Sequence, residues 1–136
     1  MKQELALLVL ATFVGFSPAA QARTPLPVVT VDGSDIELRG VSVARDDRGV
    51  YAAGWVRRRV GNYGSVNAHL HVDALGADGQ TLQTIEARWI GTLPTSIRSR
   101  HASIFRARFE PAISASLVSV RVSAEPGPRH PVESER

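Results

Sequence analysis

The stretch VNAHLHVDALGADGQTLQTIEARWI, residues 66–90, reads as two β-strands joined by a tight turn at Asp78-Gly79. In the first arm Val66, Ala68, Leu70, Val72 and Ala74 alternate with Asn67, His69, His71 and Asp73. One face is therefore apolar and the other polar, as a half-buried strand requires. Asp-Gly suits a turn that needs positive φ, and Gly76-Ala77 and Gln80-Thr81 flank it with further turn and strand residues. The second arm, residues 82–90, carries Trp89 near its end.

The same period of two recurs on both sides of this hairpin. Residues 28–31 read as a short edge strand after a leader that holds Pro25 and Pro27. In residues 36–44 the apolar phase shifts at Gly40, from Ile36 and Leu38 to Val41 and Val43, as a β-bulge at glycine would produce. Asp46-Asp47-Arg48-Gly49 is a turn leading into a strand over residues 50–60. There Tyr51, Ala53 and Trp55 share one face and Val50, Ala52, Gly54 and Val56 the other, so either could point inward. Residues 61–65 are a loop with Tyr63 at its centre, and residues 93–100 form the longest connection, a crossing between sheets. Residues 102–109 set Phe105, Ala107 and Phe109 inward and Ile104, Arg106 and Arg108 outward. A loop over residues 111–116 leads to a last strand marked by Val118, Val120 and Val122. Residues 125–136, with three prolines and mixed charges, read as a disordered tail.

Seven strands with turns every eight to twelve residues, and no helical periodicity, point to an all-β immunoglobulin-like antiparallel β-sandwich. A small closed barrel is the rival architecture. The aromatic residues Trp55, Trp89, Tyr51, Phe105 and Phe109 are expected in the core, each burying ~150 to 250 Å².

The chain of 136 residues opens with Lys2, an apolar run over residues 5–16, the break Ser17-Pro18, and Ala20-Gln21-Ala22. This is the order of a secretory signal peptide cut after Ala22. Twelve apolar residues span only ~18 Å as a helix, short of a ~30 Å hydrocarbon core. The expected domain plan is a signal peptide over residues 1–22, a sandwich over 23–124 and the tail over 125–136. The expected address is the periplasm, with no membrane span after cleavage. The chain has no cysteine, so burial rather than disulfides must stabilise the exported domain. With Lys2 and Glu4 both in the leader, the remaining 15 arginines against 12 acidic residues keep the excess at +3. That is too small a surplus for a dedicated nucleic-acid binder.

Gly54-Trp55-Val56-Arg57, residues 67–73, residues 77–82 (ADGQTL), Ser103-Ile104-Phe105-Arg106-Ala107 and Ser119-Val120-Arg121-Val122 together resemble the bacterial exported FxLYD-type and related immunoglobulin-like families. The shared features are a glycine-led strand, a strand ending in an aspartate-glycine turn, a phenylalanine strand after a loop, and a valine-rich final strand. The resemblance covers roughly residues 40–123 and implies the fold but no catalytic residues.

Two groups of side chains carry candidate chemistry. His69, His71 and Asp73 share one strand face at spacings of about 6.5 to 7 Å, at which two imidazoles can converge on a copper or zinc ion. The ordinary alternative is a solvated polar face. Arg57, Arg59, Arg106 and Arg108 could merge into a patch for carboxylates or phosphates, unless neighbouring acids pair with them. No nucleophile elbow and no phosphate-cradling glycine loop follows a strand, so neither an enzyme nor a cofactor is expected. The reading is a non-catalytic exported binding or protein-interaction module for an envelope protein or an anionic surface. The alternative is a periplasmic copper or zinc binder using the His-x-His strand.

Overall fold

The structure, a computed structural model, describes residues 25–61, 66–91, 93 and 101–128. The leader, Tyr63, most of the long connection after Leu93, and residues 129–136 lie outside that set. The described chain is all-β. Its strands are β1 (Val28–Val31), β2 (Ile36–Asp46), β3 (Gly49–Arg58), β4 (Ala68–Leu75), β5 (Thr81–Ala87), β6 (Ala102–Arg108) and β7 (Ser119–Pro126), with one 3-10 turn at Pro111–Ile113. Among the described residues no helix is long and apolar enough to cross a membrane.

The strands form two sheets, ordered β1-β7-β4-β5 and β2-β3-β6. The inward residues of the first, including Leu70, Val72, Ala74, Val120 and Val122, meet Ile36, Val50, Ala52, Val56, Phe105 and Phe109 of the second in one buried cluster. A two-layer core of this kind agrees with the sandwich expectation. The strand order is the chain's own. In the immunoglobulin constant arrangement the first strand lies beside the second and the last beside the sixth. Here β1 pairs in parallel with β7, and β7 pairs antiparallel with β4. The expectation of a wholly antiparallel sandwich is corrected by that one parallel pair.

The central hairpin forms as its alternation requires. Leu70 faces Ala87, Val72 faces Ile85, and Gly79 takes φ +79° in the turn, a value that glycine adopts without steric cost. The phase shift at Gly40 is a real bulge: pairing slips between Arg39 and Ser42, with Gly40 at φ +57°. On the inward side of β3, Gly54 is required by proximity. A Cβ there would lie 2.9 Å from Val41 Cγ2 and 3.0 Å from both Val41 Cα and Phe105 Cε1.

The open question of β3 is decided by its inward residues. Val50, Ala52 and Val56 are fully buried, so Tyr51, Ala53 and Trp55 face outward. Placing Trp55 and Tyr51 in the core is therefore corrected: Trp55 is 45% exposed and Tyr51 half-buried. Phe105 and Phe109 are core residues as expected. Trp89 is half-buried and packs against the core after the chain has left β5 and joined the other sheet, where it bridges Phe105. The last strand runs further than its valines suggest. Glu125 and Pro126 pair with His69 and Ala68, so the tail cannot begin at residue 125.

Candidate functional site

Each sheet has one outward face, and the two differ in chemistry. The outward face of β1-β7-β4-β5 is built from cross-strand rows set by register: Arg121, Asp73 and Thr84; then Ser123, His71 and Glu86; then Glu125 beside His69. These polar side chains shield one another. Although they lie opposite the core, His69 is 3% exposed and Asp73 6%.

The three candidate ligands divide. Asp73 accepts a 2.7 Å hydrogen bond from Thr84 Oγ1 on one oxygen, and bonds of 3.1 and 2.7 Å from the Arg121 Nε and NH2 groups on the other. Its carboxylate is committed to the sheet, which accounts for a buried acid with its charge matched. His69 and His71 converge instead, with their Nε2 atoms 3.1 Å apart and their ring centroids 4.8 Å apart. His69 Nδ1 lies 3.0 Å from the Gly127 carbonyl oxygen. A carbonyl only accepts, so Nδ1 holds a hydrogen, and in the neutral ring Nε2 then holds the lone pair. Among the described residues no group of three or more histidine, aspartate or glutamate side chains converges as a metal site.

The outward face of β2-β3-β6 is apolar at its centre and basic at its sides. Trp55 stands opposite Arg39 on β2 and opposite Ile104 on β6. The Ile90 N–H donates to the Ile104 carbonyl, and the neighbouring bridge from Trp89 to Phe105 turns Ile90 to the same outward side. A row of Trp55, Ile104 and Ile90, exposed by 45, 42 and 77%, therefore crosses the face.

The four candidate arginines do not merge. Arg57 and Arg39 both pair with Glu37, itself 8% exposed. Arg108 binds Asp46 through two parallel bonds of 2.8 Å. That fork holds the Asp46 carboxyl well below the usual carboxylate range, with a smaller contribution from the Arg48 N–H. Arg106 lies over the Tyr51 ring at 4.0 Å, and Arg108 approaches the same ring at 5.1 Å. Arg59 is turned away, donating at 2.8 Å to the Gly33 carbonyl. Two basic groups thus flank the apolar row, Arg39 with Arg57 and Arg106 with Arg108, each holding one acid.

Sequence reasoning set Ile104 outward, as the structure has it, but missed Glu37, Arg39, Asp46 and the outward placement of Tyr51 and Trp55. The signal was the shared phase of Tyr51, Ala53, Trp55 and Arg57, which antiparallel pairing brings into line with Ile104, Arg106 and Arg108. Comparison with known proteins finds no matching family model, no similar curated protein and no similar solved structure.

Proposed function

We propose that this chain is a non-catalytic, exported binding module that docks a protein partner through the outward face of β2-β3-β6. The observation that carries the reading is the exposed row of Trp55, Ile104 and Ile90 between two arginine groups. Contiguous outward apolar side chains rimmed by polar ones mark interaction surfaces, and tryptophan, tyrosine and arginine dominate the energetics of such surfaces. The flanking groups count four arginines against Glu37 and Asp46, so the partner offers an aliphatic or aromatic centre with an acidic rim. The leader over residues 1–22, with its positive start, apolar run and Ala-x-Ala end, supports export to the periplasm.

The test is photo-crosslinking in the producing cells. A photoreactive residue at position 104 should yield one discrete adduct, suppressed by Arg106→Glu. The same residue at exposed Ala77, at the tip of the β4–β5 turn, should yield none. Equal adducts from both positions, or none from position 104, would contradict the proposal.

A further inference from the structure

We infer that His69 and His71 form an open two-imidazole site for a divalent transition metal, copper(II) in preference to zinc. The site lies on the outward face of β1-β7-β4-β5, the sheet opposite the docking face, and is independent of the docking reading.

The geometry is that of a chelating pair. A cation at ~2.0 to 2.1 Å from each nitrogen would see two Nε2 atoms 3.1 Å apart at an angle of about 100°, between the square-planar and tetrahedral values. One of the two ligands is already oriented. The Gly127 carbonyl holds neutral His69 in the tautomer that leaves the lone pair on Nε2, the ring nitrogen nearer His71, and such a contact is the support that metal-binding histidines use. With His69 Nε2 as acceptor, the 3.1 Å contact takes neutral His71 as its Nε2–H donor. Metal replaces the shared hydrogen when neutral His71 moves its proton to Nδ1, so both rings offer a lone pair and no proton is lost.

One of the two rings borders open space. His69 lines an open cleft of about 200 Å³ together with Ala68, Ala87, Arg88 and Trp89. Register sets Glu125 opposite His69 and Glu86 opposite His71 on the neighbouring strands. Asp73 is not a ligand, since Thr84 and Arg121 occupy it. Two protein donors leave the other positions to water. That favours copper(II), which stands above zinc in affinity for nitrogen donors and accepts a tetragonal shell, over zinc, whose structural sites close with four protein ligands.

The test is calorimetry of the purified chain with copper(II) sulfate and zinc sulfate in a non-chelating buffer, combined with electron paramagnetic resonance of the copper form. One equivalent of copper(II) should bind about tenfold or more tightly than zinc. The resonance spectrum should show splitting from two imidazole nitrogens. His71→Ala should weaken copper binding about tenfold or more and reduce the splitting to one nitrogen. Because His69 is buried and could be needed for folding, His71→Ala is the deciding variant, and His101→Ala is the control that should leave binding unchanged. Copper affinity unaltered by His71→Ala, or a spectrum without two imidazole nitrogens, would overturn the inference.

Discussion

Arg121 on β7 closes onto Asp73 on β4 through its Nε and NH2 groups, so a carboxylate 6% exposed on the outward face of the sheet has its charge matched by the neighbouring strand. Removing the arginine leaves the acid buried with only Thr84 as a side-chain donor. Arg121→Ala should destabilise the chain by about 1 to 3 kcal/mol in urea unfolding, the cost of leaving a buried acceptor unsatisfied. An unchanged midpoint would mean that water replaces the guanidinium without cost.

Gly54 fills no space of its own, yet its lack of a side chain is what lets β3 approach Val41 and Phe105. Gly54→Ala would set a Cβ 3.0 Å from the backbone Cα of Val41, which no rotamer change relieves. The expected cost is about 1 to 3 kcal/mol. A variant as stable as the parent would show that the β2 bulge yields freely.

The Asp46–Arg108 fork implies a particular pH dependence. Its folded carboxyl titrates below the ordinary value, chiefly because Arg108 donates two hydrogen bonds to it. A depressed acid stabilises the fold fully above its unfolded value near pH 4, and that stabilisation fades as pH falls further toward the folded value. The melting-temperature difference between the parent and Asp46→Asn should therefore be constant from about pH 5 to 8 and shrink below about pH 4. A difference that grows on acidification would contradict the assignment.

Export is checked by intact mass. The periplasmic form should begin at Arg23. Full-length chain recovered from membranes would exclude cleavage after Ala22.

The period of two made most of the fold legible. It placed β1 within its observed bounds, the hairpin of β4 and β5, the bulge at Gly40 and the inward set of β6. It could not choose the inward side of β3, because Val50, Ala52 and Val56 compete with Tyr51 and Trp55, and size alone favours burying the aromatics. The smaller residues won because β3 lies centrally between β2 and β6, and Gly54 admits the Phe105 ring against it. Sheet order was equally illegible, since the parallel pairing of β1 with β7 joins ends of the chain that no local pattern connects. At the histidines, strand spacing correctly put three side chains on one face. It could not show that Arg121, from 48 residues further along, would claim Asp73.

The central claim is that the outward face of β2-β3-β6 docks a partner, and Trp55→Ser with two readouts tests it most directly. Because Trp55 is 45% exposed, its loss should cost about 1 kcal/mol or less and preserve a cooperative transition, whereas Phe105→Ala in the core should cost about 3 to 5 kcal/mol. The photo-adduct formed from position 104 should disappear in the same variant. A Trp55→Ser chain that unfolds like Phe105→Ala, or that remains folded with its adduct undiminished, would contradict the account.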